Sequence, residues 1–249
     1  VLPGGGGSLD ASARKELKAL CDAADFGQVS IAAQVDFKRP RGVYRGSLVA
    51  TPEGTRGWEE VTDENHALWQ QILGAVDTDR SLVRVQRESH DLSAARASVL
   101  EEFLRFGRQA CPAERYVVFF YGHAYGPMGL FCDAETGQRD PDTLRLNDLA
   151  GSIRSAGGRA SVVVFRDCFM NTLETAYQLR DAAEMMIATQ ALAPIAGIWP
   201  WPNLLAALLP GAASIDVGRA LALQIAHFLD TPASRYPFAE VPYSLLDLV

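Results

Sequence analysis

The sequence has no window that reaches the roughly 18–20 consecutive apolar residues of a membrane span. Its longest apolar stretch, around 204–209, has the length of a core helix. Cysteine is scarce. There are four, Cys21, Cys111, Cys132 and Cys168, and no two form a C-x-x-C pair, which weakens a zinc or thioredoxin reading. A reduced, cytoplasmic setting is the simplest fit. Positive charge is also in the minority. Lys and Arg total 23 against 30 Asp and Glu, a net charge of −7. The basic residues are scattered apart from the knot Lys38-Arg39-Pro40-Arg41, which reads as a solvated turn. Phosphate contact needs clustered Lys and Arg, so a nucleic-acid partner is not expected. The start, Val1-Leu2-Pro3, has neither the basic nor the long apolar region of a signal peptide. The glycine run Gly4–Gly7 is followed by no Lys-Ser, no Lys-Thr and no further spaced glycine, so neither phosphate-loop fingerprint is met. No Asp-rich loop of the EF-hand type is present, and no metal site is expected.

The chain is 48% hydrophobic over 249 residues. That suits one α/β domain with a sizeable core. Residues 1–9 read as a flexible N-terminal segment or linker, and 10–249 as the domain, a piece of a longer protein. Periodicity predicts helices over 10–24, 63–76, 93–109, 146–156, 172–183, 203–209 and 215–229. Strands are predicted over 29–35 and 42–50 as a hairpin, then 82–85, 116–121, 161–165, 185–188 and 243–249. A Gly-rich loop is expected from His123 to about residue 141. Continuous apolar strands alternating with helices imply a largely parallel sheet covered on both faces.

Two of those strands end in reactive side chains. Tyr116-Val117-Val118-Phe119-Phe120-Tyr121 runs into Gly122-His123, and Ser161-Val162-Val163-Val164-Phe165 into Arg166-Asp167-Cys168. Active sites of such sheets sit beyond the carboxyl ends of the strands. Adjacent strands lie about 4.8 Å apart, so His123 and Cys168 can meet despite their separation in sequence. A thiolate is the nucleophilic form of cysteine, and the helix expected near Thr172 would favour it through its positive N-terminus. His123 would then protonate a leaving amine and activate water. The backbone N–H groups of Ala124 and Cys168 would hold a developing oxyanion. The bland alternatives are a core cysteine and a structural loop histidine.

At these residues the chain resembles the clostripain-like cysteine peptidases of the caspase-like clan. The family has one strand ending in His-Gly and another in Asp-Ala-Cys; here they read His123-Ala124 and Arg166-Asp167-Cys168. Met170, Glu174, Ala176-Tyr177 and Leu179 match its following helix, Met186-Ile187-Ala188-Thr189-Gln190 its next strand, and Trp199-Pro200-Trp201 its Trp-Pro-Tyr segment. The resemblance implies a caspase-like three-layer α/β/α sandwich with a mostly parallel central sheet, spanning 10–249. It implies a cysteine endopeptidase acting on protein or peptide substrates through the dyad His123 and Cys168. Calcium dependence occurs among such peptidases but finds no support in these residues, so no cofactor is expected.

The departures concern specificity. Relatives that cut after Arg or Lys carry an acid two residues before the cysteine, at the floor of the S1 pocket. Arg166 stands there in this chain, with Asp167, Thr189, Gln190 and Trp199 as further S1 candidates. A basic P1 side chain would meet like charge, whereas a guanidinium fork matches a carboxylate. An acidic or neutral P1 is therefore expected, unless Arg166 points away and pairs with an acid such as Glu174. The polar segment 133–143 suits an activating cut, by the enzyme itself or by another protease. A regulatory or activating protein partner is a further expectation. Ala124 in place of the family's glycine keeps a second reading open, a catalytically inactive interaction scaffold.

Overall fold

The computed structural model describes residues 2–3, 9–23, 29–38, 41–51, 54–57, 83–84, 93–133, 142–193, 198–208, 210–230 and 243–248. Its centre is a four-stranded sheet in the order β11-β10-β9-β6. Strands β6 (Val117–Tyr121), β9 (Ala160–Arg166) and β10 (Ala183–Thr189) run parallel, and β11 (Tyr243–Asp247) runs antiparallel against β10. All seven residues of β9 are buried. A strand covered on both faces favours apolar side chains throughout, and Val162–Phe165 is apolar without interruption.

Alternation along β9 divides the core in two. Val163 and Phe165 point to a cluster with Leu100, Phe103, Leu149, Ile153 and Leu179. These come from α2 (Ala97–Ala110), α3 (Leu146–Ser155) and α4 (Leu173–Leu179). Val162 and Val164 point the other way, to Trp201, Leu204, Val217, Leu221 and Ile225. These belong to α5 (Trp201–Ala206) and α6 (Ser214–Leu229). The result is the expected α/β/α sandwich.

A second sheet joins β1 (Leu2–Pro3), β2 (Ile31–Lys38), β3 (Arg41–Thr51), β4 (Gly54–Gly57) and β5 (Val83–Arg84). The expected hairpin is the β2–β3 pair, aligned from Ile31↔Leu48 to Lys38↔Arg41. Helix α1 (Asp10–Ala23) packs on α5 and β2.

Two expectations shift. The helix predicted over 172–183 stops at Leu179, because Ala183 already pairs with Ala160 as β10 begins. The loop expected after His123 contains a 3-10 turn (Gly126–Met128) and strand β7 (Leu130–Asp133), which pairs with β8 (Asp142–Leu144). The helix predicted over 63–76 lies outside the described residues, as does most of the segment proposed for an activating cut.

Phe165 stacks on Phe120 of the neighbouring strand, with ring centroids 5.3 Å apart, and is fully buried. Phe165→Ala should cost about 3–5 kcal/mol. Thermal unfolding should show this as a fall in melting temperature on the order of 10 °C; an unchanged melting temperature would contradict the packing described.

Candidate active site

The parallel pairing of β6 and β9 fixes where the two reactive residues lie. Phe120 is level with Phe165, and Tyr121 with Arg166. His123 and Cys168 therefore both stand two residues beyond the last paired position, at the carboxyl edge of adjacent strands. Both are partly exposed, while Gly122, Asp167 and Met170 around them are buried.

Each strand end is followed by a turn that the sequence dictates. After His123 the chain doubles back: the Phe131 N–H donates to the His123 carbonyl at 2.8 Å, and the Tyr125 N–H to the Gly129 carbonyl at 3.0 Å. Gly129 has φ +122°, and a Cβ there would stand 2.3 Å from the Leu144 carbonyl oxygen, so only glycine closes this turn. After Cys168 the backbone turns at Phe169, which has φ +60°. That conformation costs a residue with a Cβ about 1–2 kcal/mol. Two bonds hold it, from the Phe169 N–H to the Ala191 carbonyl in the loop after β10 and from the Asn171 N–H to the Thr189 carbonyl at the end of β10, each 3.0 Å. Thr172 then caps α4, its hydroxyl accepting from the Thr175 N–H at 3.2 Å.

The N–H groups of Ala124 and Cys168 have no acceptor among the described residues. Phe131 and Phe169 are the non-glycine residues of positive φ among those described, so Ala124 has ordinary backbone and its Cβ is no obstacle. The Cys168 sulfur accepts an N–H from Ala193 at 3.4 Å. The thiol is nonetheless pushed above its ordinary pKa. Burial is the main cause, Ala193 partly offsets it, and the neighbouring Asp167 adds to it. The short helix α4 does not produce the lowered thiol that the sequence suggests.

Arg166, two residues before Cys168, is buried and by strand alternation shares the face of Val162 and Val164. Its guanidinium pairs with Glu16 of α1, not with Glu174, which lies exposed on α4. The Glu16 carboxylate also accepts the Trp201 indole N–H at 2.7 Å and the Trp199 backbone N–H at 3.1 Å. The Arg166 guanidinium faces the Tyr121 ring at 4.8 Å and the Trp199 ring at 5.3 Å. Thr189 is fully buried at the end of β10, and Gln190 is exposed beyond it. A cavity of about 530 Å³ runs along the outer edge of β6, with Glu16, Arg166 and Trp199 among its lining. Neither His123 nor Cys168 is among its lining residues. Among the described residues no group of three His, Cys, Asp or Glu is placed to hold a metal ion, and no helix is long and apolar enough to cross a membrane.

The model of the clostripain family matches residues 70–248, well over half of the chain. The chain belongs to the clostripain family. The fold is shared with solved structures at low sequence identity. One is a secreted C11 cysteine protease from Bacteroides thetaiotaomicron in complex with an irreversible peptide inhibitor. It has a TM-score of 0.66 and 15% identity over 99% of this chain and 65% of that one. Another is an inactive zymogen C11 protease from Parabacteroides distasonis, with a TM-score of 0.62 and 14% identity over 99% of this chain and 60% of that one. The chain thus spans less than two thirds of the length of these solved relatives. No curated protein matches the sequence.

Within this clostripain-family chain, the site draws on residues that the motif reading did not single out. Glu16 is the main one. It shares a helical face with Ala13, Leu17 and Leu20, and a lone acid at an apolar position signals a buried partner. Phe169 and Ala193 carry no such signal, because their roles rest on backbone geometry.

Asp167 contrasts with Glu16. It is fully buried, and neither carboxylate oxygen has a hydrogen-bond partner among the described residues. Burial raises its pKa well above the usual carboxylate value, and the Arg166 charge only partly opposes this. In the unfolded chain the group ionises near pH 4; in the folded chain it keeps its proton to higher pH. Stability from this group is therefore whole below the unfolded value and is lost as pH rises through the folded one. Asp167→Asn should flatten the decline of melting temperature between pH 4 and 8. At pH 8 the variant should gain about 2–4 °C for each ~1 kcal/mol recovered, with no gain at pH 4. An equal shift at both pH values would refute a protonated Asp167.

Proposed function

We propose that this chain is the catalytic part of a cysteine endopeptidase, with Cys168 as nucleophile and His123 as its acid and base. The register Tyr121↔Arg166 carries the reading, since it sets both side chains at equal height on adjacent strands. The Cys168 thiol gives its proton to the His123 imidazole, and its sulfur adds to the substrate carbonyl. The N–H groups of Ala124 and Cys168 receive the oxyanion. The imidazolium protonates the departing amine, leaving a thioester. His123 then takes a proton from water, which hydrolyses the thioester and restores the thiol.

A peptidyl acyloxymethyl ketone should add one inhibitor mass to the protein at Cys168, as read by intact mass and peptide mapping. Cys168→Ala should abolish the adduct, and His123→Ala should slow its formation by roughly 10²–10⁴-fold. Because the resting thiol is raised, labelling with iodoacetamide should keep accelerating through the alkaline range and show no plateau near neutral pH. The raised thiol also favours the second reading, an inactive scaffold, in which Cys168 would label no faster than Cys111 or Cys132 at any pH.

The P1 residue is neutral in this reading. Arg166 is neutralised by Glu16 and flanked by two aromatic rings, so it offers an incoming carboxylate little uncompensated charge. The Glu16 carboxylate is likewise held by Arg166, so it offers Arg or Lys at P1 no free partner. Peptides varied only at P1 should be cut best after neutral residues. Glu16→Gln keeps the shape and frees the guanidinium, and should raise kcat/KM for Asp at P1 about tenfold relative to neutral residues. Fast cleavage after Arg by the unaltered protein would overturn this preference.

A further inference from the structure

Several large apolar side chains are exposed around the dyad on one flank. Tyr125 is 49% exposed and Met128 71%, both on the turn that follows His123; Phe169, next to Cys168, is 42% exposed; Leu173, the first residue of α4, is 83% exposed. They form one surface. A Cβ on Gly126 would stand 3.1 Å from the Phe169 carbonyl oxygen, so the turn after His123 lies directly on the residue after Cys168. Helix α4 packs against the same turn. Such a group of exposed apolar residues at a reaction centre is an unsatisfied contact surface.

The strain at Phe169 sharpens the point. A left-handed backbone at a bulky residue persists only when its surroundings hold it. Here the bond to Ala191 does so, yet the ring remains partly in solvent. The loop after β10 also borders Cys168, donating the Ala193 N–H to the sulfur and exposing Leu192.

We infer that Tyr125, Met128, Phe169 and Leu173 form a subsite for apolar side chains on the leaving half of the substrate, in the one or two positions that follow the scissile bond. The inference rests on the dyad reading above. His123 must protonate the departing amine, so the leaving half of the peptide passes on the His123 side, where this surface lies. The other half then runs towards residues 190–193. The substrate class is thus a peptide with Leu, Met, Phe or a similar residue after the cleaved bond. Burial of one such side chain raises kcat/KM when the contact is made in the transition state.

Internally quenched peptides that are identical up to P1 and carry either Leu-Phe or Ser-Gly after the bond test this. The Leu-Phe peptide should be cut with a kcat/KM about tenfold higher or more. In the double variant Met128→Gln, Phe169→Asn the ratio should fall towards one; Asn accepts the positive φ at residue 169. Met128→Gln alone, at an exposed position, should lower the ratio severalfold and serves if the double variant unfolds. A ratio near one in the unaltered protein, or a ratio unchanged in the variants, overturns the inference. Cys168→Ala, which cannot turn over, should bind the Leu-Phe peptide more tightly than the Ser-Gly one by fluorescence anisotropy, and equal binding also overturns it. If Cys168 resists the acyloxymethyl ketone while Cys168→Ala still discriminates, the dyad reading falls and the apolar subsite stands.

Discussion

The pairing of β6 with β9 is the constraint on which the site depends. Parallel strands cannot slip by one residue without turning every side chain to the opposite face. Val162 and Val164 would then leave their helices, as would Val163 and Phe165. The core therefore fixes the register, and the register fixes the height of His123 against Cys168. Catalytic geometry is here a consequence of hydrophobic packing several residues away from the chemistry. It requires no direct bond between the two side chains in the resting state.

What the sequence revealed follows from the same physics. Buried parallel strands read as unbroken apolar runs, so β6, β9 and β10 were legible, and with them the strand ends that carry His123 and Cys168. The amphipathic helices α1, α2 and α6 were legible from their periodicity. The end of α4 was not, because Ala182 and Ala183 suit a helix and a buried strand equally, and only the pairing of Ala183 with Ala160 decides. The partner of Arg166 was not legible either. Glu174 is near in sequence, but its helix turns it to solvent. Glu16 is 150 residues away and reaches Arg166 because α1 packs beside α5. Long-range pairing of this kind leaves only an indirect trace, an acid on an otherwise apolar helical face.

Two buried acids near one cysteine show how the fold distributes charge. Glu16 is met by a guanidinium, an indole N–H and a backbone N–H, so its burial is compensated. Removing either member of such a pair typically costs 3–5 kcal/mol, because the other is left charged and alone. Neither oxygen of Asp167 has a hydrogen-bond partner among the described residues, and its burial favours the protonated form. Glu16 comes from α1 and Asp167 from the exit of β9, and they differ in their partners. Arg166 can compensate one carboxylate fully, and Glu16 holds it.

That division bears on the nucleophile. An ionised Asp167 would oppose proton loss from Cys168. Burial, which raises the thiol, also raises the Asp167 carboxyl and so favours the neutral form that leaves the thiolate unopposed. Among the described residues, the Ala193 N–H is the donor bonded to the sulfur. In the proposed mechanism the Ala124 and Cys168 N–H groups serve the substrate oxygen, so charge is stabilised there more than on the resting sulfur. Catalysis depends on that difference, since only interactions stronger in the transition state than in the ground state raise the rate. A neutral resting thiol in a clostripain-family site is therefore compatible with activity, provided that substrate binding brings the His123 imidazole to the sulfur when the bond forms.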